Sequence, residues 1–78
     1  MDKQKRLIEK IIAIHNRNKP NRQHTYLAPK TSFDNMTRDE LMWVESVGTD
    51  TVTVFRTMTG KFYEITVDNV DKFKLISD

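Results

Sequence analysis

The chain of 78 residues contains no cysteine, only two glycines, two prolines and two histidines. Without cysteine there is neither a disulfide nor a thiolate metal site, which suits a reducing compartment. The histidines, His15 and His24, have no second pair of ligands nearby, so a zinc site is not expected. No apolar run approaches the roughly 20 residues of a membrane span. The sequence therefore predicts a small soluble protein of the cytoplasm without membrane contact.

Patterns typical of catalysis are missing as well. The serines lie outside any nucleophile motif, and both glycines, Gly48 and Gly60, are interpreted as turn residues rather than as parts of a phosphate loop. The carboxylates most open to an acid–base interpretation are better explained as caps and solubilising charges: Asp34, Asp39, Glu40, Asp68 and Asp71. We therefore expect no catalytic, cofactor-binding or metal-binding residues, and no enzyme.

Charge is distributed unevenly along the chain. Residues 1–30 hold eight basic and two acidic residues, a net charge of +6, whereas residues 31–78 hold five basic and nine acidic residues, a net charge of −4. This asymmetry predicts a basic N-terminal arm on a mildly acidic body. Such an arm would attract a nucleic acid, an acidic protein or an anionic membrane, or it would lie against the chain's own acidic part.

Residues 51–67, TVTVFRTMTGKFYEITV, have the clearest strand-like alternation. β-Branched and aromatic residues fill this run and Gly60 interrupts it, which predicts a β-hairpin with a two-residue turn at Thr59-Gly60. The turn predicts four cross-strand pairs: Met58–Lys61, Arg56–Tyr63, Val54–Ile65 and Val52–Val67. The face expected in the core carries Val52, Val54, Tyr63, Ile65 and Val67. The opposite face is polar except for Phe55 and Phe62, which are predicted to be outward-facing neighbours.

The segment from Lys3 to about Asn16 has the periodicity of an amphipathic helix, which Asn18 and Pro20 would end. Its apolar stripe consists of Leu7, Ile8, Ile11, Ile12 and Ile14. The favoured interpretation is that this stripe packs on the sheet while the basic side stays solvated. The alternatives are docking of a partner, an interfacial membrane helix, or self-association. Self-association would use Leu7, Ile8, Ile11 and Ile12.

Residues 16–36 are rich in Asn, Pro, Lys and Arg. They form either a short strand at Gln23–Ala28, which Pro29 would end or place at an edge, or a mobile linker. Basic residues beside one stackable ring form the most nucleic-acid-like pattern of the chain, although a solvated linker is the favoured interpretation. The candidate nucleic-acid-binding residues are Lys3, Arg6, Lys10, Arg17, Lys19, Arg22 and Tyr26.

The segment Thr37–Val47 is compatible with two structures. Thr37 and Glu40 have the spacing of a capping box, which begins a helix, whereas Met42–Val47 is rich in strand-favouring residues. We favour a capped turn at Arg38–Leu41 followed by a strand, and a helix as far as Val47 is the alternative.

In the strand interpretation, Met42 and Val44 share one face while Trp43 and Val47 share the other. Trp43 is expected in the core or at its rim. If the second face binds a partner, Trp43 would instead serve as an exposed anchor.

The end of the chain predicts a turn at Asp68–Asp71 and a short strand at Lys72–Ile76, with Phe73 and Leu75 pointing inward. A hairpin, a one-turn connection and a short closing strand resemble the C-terminal half of small Src-homology-like barrels over about the last 35 residues. The resemblance implies a partial barrel and carries no functional implication.

Taken together, the sequence predicts one α+β domain, in which an N-terminal amphipathic helix packs on an antiparallel sheet of three or four short strands. Its parts are a basic helix (1–18), a basic linker (19–36) and a β-rich body (37–78). The predicted function is that of a small regulatory or binding protein that acts through protein–protein contacts. The candidate partner-binding residues are Phe55, Phe62 and Trp43. Binding of nucleic acid by the basic arm, without sequence specificity, is the alternative.

Overall fold

The computed structural model describes residues 2–76 and has one helix followed by five strands. The elements are α1 (Asp2–Asn18), a 3-10 turn (Lys19–Asn21), β1 (Tyr26–Pro29), β2 (Met42–Val47), β3 (Val52–Arg56), β4 (Lys61–Ile65), a second 3-10 turn (Val70–Lys72) and β5 (Phe73–Leu75). All strand pairs are antiparallel, in the order β4-β3-β2-β1-β5. The predicted α+β class is confirmed, and the sheet has one strand more than expected.

The apolar stripe of α1 packs on one face of the sheet. Ile8, Ile11 and Ile14 are buried, while Leu7 and Ile12 pack against the core from its margin. The sheet contributes to this core through Leu27, Met42, Val44, Val52, Val54, Ile65 and Phe73. The favoured interpretation of the helix is thus confirmed. The stripe predicted as a self-association seam is occupied by the chain's own sheet.

Strand β1 lies within the segment for which the sequence left a strand and a linker as alternatives. Its last residue is Pro29, which pairs with Phe73 of β5. On the other side of β1 the ladder to β2 ends at Leu27, which pairs with Met42. Since proline has no N–H to donate, Pro29 fits just beyond the end of that ladder.

The hairpin of β3 and β4 forms, but the predicted register is wrong by two residues. The observed pairs are Arg56–Lys61, Phe55–Phe62, Val54–Tyr63, Thr53–Glu64 and Val52–Ile65. Four residues, Thr57–Gly60, make the loop, because the N–H groups of Thr59 and Gly60 both donate to the Arg56 carbonyl at 3.3 and 2.8 Å. Gly60 has a φ of 71°, which glycine adopts without strain. A shift of two residues keeps each side chain on its predicted face.

Strand β2 and the turn before it are confirmed, since the Glu40 N–H donates to the Thr37 carbonyl at 3.0 Å and a strand follows. The prediction that Trp43 and Val47 share a face is wrong. A β-bulge between Val44 and Ser46 shifts the register, so that Val47 pairs with Val52 and packs against the core.

Glu40 is a buried ion-pair partner rather than a cap or a solubilising charge, so that prediction is wrong for this residue. Its carboxylate accepts hydrogen bonds from Arg56 Nε at 2.5 Å and Nη2 at 3.0 Å, and Glu40 is 2% exposed. Arg56 Nη2 also donates to the Asn35 carbonyl at 3.2 Å. The hydrogen bond to Glu40 raises the pKa of Arg56 above its usual value.

The C-terminal elements follow the prediction. In β5, Phe73 is buried, Leu75 is half-buried and Lys74 is exposed. The hairpin, the one-turn connection and the closing strand that carry the Src-homology-like resemblance are all present, and β5 pairs with β1. Within residues 2–76, no helix has the length and apolar character needed to cross a membrane.

Candidate partner-binding face

The sheet face opposite α1 carries a line of rings, which we call the aromatic row: Tyr26, Trp43, Phe55 and Phe62. Each ring lies on a different strand, and the register places them side by side as the pairs Tyr26–Trp43, Trp43–Phe55 and Phe55–Phe62. Ile76, the residue after β5, extends the row beyond Tyr26, because its N–H donates to the Tyr26 carbonyl at 2.9 Å. Cross-strand neighbours share a face, so the row crosses the whole sheet.

The rings of the row contact one another closely. Trp43 and Phe55 are stacked with centroids 5.2 Å apart, and Phe55 meets Phe62 edge to face at 5.4 Å. Tyr26 meets the Trp43 ring edge to face at 6.4 Å. His24 stacks on Trp43 at 4.5 Å with an interplanar angle of 15°. Trp43 therefore stacks with both His24 and Phe55, and these pairs stabilise the ladder of rings.

The row is only partly covered by the described residues. Phe62 is 61% exposed and Ile76 is 51% exposed, while Tyr26, Trp43 and Phe55 are half-buried. Leu41, at 40% exposed, precedes β2 on the same face of the strand as Trp43. Contiguous apolar surface of this kind is uncommon on monomers without a binding role, which marks this face as a candidate interaction surface.

Two carboxylates flank the aromatic row on one side. Glu45 accepts a hydrogen bond from Trp43 Nε1 at 3.2 Å, so the indole donor is already engaged. Glu64 lies on the same face of β4 as Phe62 and pairs with Thr53. Lys74 lies on the other side of the row, because it pairs with Ala28, which shares a face of β1 with Tyr26. The local charge favours a ligand that brings a cation to the carboxylates.

The predicted nucleic-acid-binding residues do not lie together. Four of them are exposed along the helix, on the core-facing side of the sheet: Lys3, Arg6, Lys10 and Arg17. Tyr26 belongs to the aromatic row, on the opposite face. Lys19 and Arg22 follow the end of α1 and border a cleft of about 340 Å³, together with His15, Gln23, His24, Val44 and Glu45.

His15 supplies little positive charge to this cleft. Burial, followed by the charges of Lys19 and His24, lowers its pKa below the usual 6.5, and Glu45 opposes the shift. Its Nδ1 atom is buried without a hydrogen-bond partner among the described residues. The cationic character of the cleft therefore comes from Lys19 and Arg22.

The three residues predicted for partner binding, Phe55, Phe62 and Trp43, lie next to one another in the structure. The sequence did not indicate that His24 and Ile76 would join them. The signal that would have found both is the register of β1 with β2 and β5, which depends on a strand that the sequence only offered as one of two alternatives. Residues 2–76 contain no group of three His, Asp or Glu side chains placed to hold a metal ion.

Comparisons with protein families, with curated proteins and with solved structures found no match to this chain. The interpretation of the aromatic row therefore depends on its own geometry and charge.

Proposed function

We propose that this chain is a small, non-enzymatic binding protein of the cytoplasm, with a regulatory role, and that it captures a protein partner through the aromatic row. The observation that carries the proposal is that Phe62 is 61% exposed at the end of a continuous line of four rings. Aromatic side chains are typical hot-spot residues of interfaces.

The partner we propose has an apolar patch with at least one cationic side chain beside it. The apolar patch would cover Phe55 and Phe62, and the cation would lie near Glu45 or Glu64. Charge complementarity of this kind adds specificity to a contact whose affinity comes from the buried rings.

A protein suits the aromatic row better than a nucleic acid does. Single-stranded nucleic acids bind by stacking bases on free aromatic faces. Trp43 already stacks with two rings, His24 at 4.5 Å and Phe55 at 5.2 Å, which leaves less of the indole for a base. In addition, Glu45 and Glu64 would repel the phosphates of a strand laid along the row.

The test is site-specific photo-crosslinking in extract of the source cells. A benzophenone side chain replaces Phe62 in one variant and Met58 in a second, because Met58 is 69% exposed in the neighbouring hairpin loop. The purified partner is then titrated with the wild type, Phe62→Ser and Met58→Ser. We expect crosslinks from position 62 only, and a loss of affinity of about 30-fold in Phe62→Ser, as for a hot spot of about 2 kcal/mol. Equal crosslinking at both positions, or unchanged affinity in Phe62→Ser, would contradict the proposal.

A second candidate function is nucleic-acid binding at the cleft beside His24, where Lys19 and Arg22 would contact phosphates. A fluorescent oligothymidylate titrated at about 50 and 200 mM salt tests it, because phosphate contacts make the affinity fall as salt rises. Arg22→Glu should weaken binding, whereas Lys61→Glu, at the far end of the sheet, should not. Absence of binding at the lower salt concentration would remove this candidate.

A further inference from the structure

A groove of about 320 Å³ runs between α1 and the β5 edge of the sheet. Its apolar lining includes Leu7 and Ile11 of α1 and Leu75 of β5. Three lysines also line it: Lys10 of α1, Lys30 just after β1, and Lys74 of β5. We call this feature the lysine groove.

Charge defines the first property of a ligand for the lysine groove. The described residues that line it include three cations and no acid. Two of these lysines, Lys10 and Lys30, belong to residues 1–30, which carry a net charge of +6. Its ligand should therefore carry several negative charges together with apolar groups.

The edge of the sheet defines the second property. In the described part of the chain, strand β5 is at the edge of the sheet and pairs only with β1. The N–H of Ile76 donates to Tyr26 and the N–H of Lys30 donates to the Lys72 carbonyl, so the residues of β5 that bond to β1 are the even-numbered ones. Because the backbone groups of an antiparallel strand alternate between its two sides, those of Phe73 and Leu75 point away from β1.

The Phe73 N–H is already bound to the Val70 carbonyl. Among residues 2–76, the Leu75 N–H and the carbonyls of Phe73 and Leu75 make no hydrogen bond on the outer side of the edge strand, so these groups are available to a further strand. An extended peptide satisfies such groups by adding itself to the sheet, and side chains in the adjoining groove then give specificity.

We propose that the lysine groove binds an extended acidic segment of a protein partner, which pairs with β5 as a sixth strand. Alternate apolar side chains of the segment would enter the groove against Leu7, Ile11 and Leu75. The carboxylates between them would point to the other face of the sheet, where Lys74 lies, and a carboxylate at an end of the segment would reach Lys10 or Lys30 at the rim. The groove volume equals that of about ten water molecules at ~30 Å³ each, which the apolar side chains would displace.

A small anionic amphiphile has the charge and the apolar group but no backbone to pair with the edge strand. An acidic peptide matches all three features: the lysines, the apolar lining and the outward backbone groups of β5. The apolar part of the lysine groove lies on the helix side of the sheet, whereas the aromatic row lies on the other side. Lys74 pairs with Ala28 and therefore borders the groove from the face that carries the row. The proposal uses no ring of the aromatic row, so it is tested separately from the first.

The probe is a fluorescein-labelled heptapeptide in which glutamate alternates with leucine, and its binding to the full chain is followed by fluorescence anisotropy. Two control peptides have lysine in place of glutamate, or N-methyl groups on alternate backbone nitrogens. We expect binding of the first peptide only, because the lysine peptide is repelled and the methylated peptide cannot donate to the strand edge.

Protein variants locate the site. The double variant Lys30→Glu/Lys74→Glu should weaken binding at least about tenfold, since two attractive contacts become repulsive. Lys61→Glu makes half of that charge change, on the opposite edge strand, and should alter the affinity less than about twofold; Lys74→Glu alone, which matches it in charge, should weaken binding more than Lys61→Glu does. All three lysines are exposed, so circular dichroism should report an unchanged fold in each variant.

Amide exchange measured by NMR reports the mode of binding. The peptide should slow exchange of the Leu75 amide and leave the ring signals of Phe55 and Phe62 unchanged. Three outcomes would overturn the proposal: no binding at about millimolar peptide, equal weakening by Lys61→Glu, or full competition by dodecyl phosphate without protection of Leu75. The last result would identify an anionic amphiphile as the ligand of the groove.

Discussion

Replacing Phe62 by serine separates a binding role from a structural one. A phenylalanine side chain buries about 200 Å² when fully covered. Since Phe62 is 61% exposed, roughly 80 Å² is covered, and at about 25 cal/mol per Å² the loss of this burial costs ~2 kcal/mol. This figure is an upper estimate, because the unfolded chain already covers part of the ring.

Phe73 provides the matched comparison, because the same substitution can be made at a ring that is 5% exposed. About 190 Å² of the Phe73 side chain is covered, so losing this burial costs ~5 kcal/mol at the same coefficient. The cavity left by the ring adds to this cost. A domain of this size has about 4–12 kcal/mol of stability in total. Phe62→Ser should therefore remain folded, whereas Phe73→Ser should be largely unfolded in buffer.

Urea denaturation followed by circular dichroism measures both effects. With a slope of about 1 kcal/mol per M, Phe62→Ser should lower the midpoint by about 2 M at most. Met58→Ser, in the hairpin loop, should shift it little, since Met58 is 69% exposed. If Phe62→Ser destabilised the chain as much as Phe73→Ser does, Phe62 would be a core residue and the aromatic row would lose its outermost anchor.

Three further predictions concern the interactions that hold the sheet and its loops together. Glu40→Ala should cost about 1.5–3 kcal/mol by urea denaturation, because the half-buried Arg56 then loses its charge-assisted hydrogen bonds, whereas replacing both residues by methionine should cost less. Tyr63→Phe should cost about 1 kcal/mol, since its hydroxyl donates to Asp34 at 3.1 Å. The pKa of His15 is below 6.5 in the folded chain, so the unfolded chain binds the proton more tightly. The contribution of His15 to the free energy of unfolding is therefore fully present above about pH 6.5 and is lost as the pH falls below it. His15→Gln should reduce the difference in unfolding free energy between pH 7.5 and pH 5.5.

Each of these three predictions has an outcome that contradicts it. A double methionine variant less stable than Glu40→Ala would mean that the ion pair contributes net stability. An unchanged midpoint in Tyr63→Phe would mean that water replaces the contact to Asp34. An equal pH dependence in wild type and His15→Gln would assign the effect to other groups.

The spacing of apolar residues along the sequence predicted the helix α1 and the strands β3 and β4. The stripe of α1 and the alternation of β3 and β4 identify their buried faces directly, because each face must be covered by apolar residues. That is why Phe55 and Phe62 could be predicted as outward-facing although the hairpin register was wrong. An error of two residues changes the partners along a strand but not the side of the sheet.

Interactions between segments that are distant in the sequence could not be predicted from the local spacing of apolar and polar residues. The bulge after Val44 turns Val47 into the core, and nothing in the alternation of β2 marks it. Glu40 has the spacing of a capping residue, yet it pairs with Arg56, 16 residues away. The rings of His24 and Tyr26 join Trp43 only because β1 pairs with β2, which no local signal decides.

The most direct test of the partner-binding proposal is an NMR titration of the chain, with labelled aromatic side chains, against the purified partner. The proposal predicts that the ring signals of Tyr26, Trp43, Phe55 and Phe62 shift together while the methyl signals of Ile8 and Ile65 stay in place. Shifts confined to other surfaces, with the four ring signals unchanged at saturation, would contradict it.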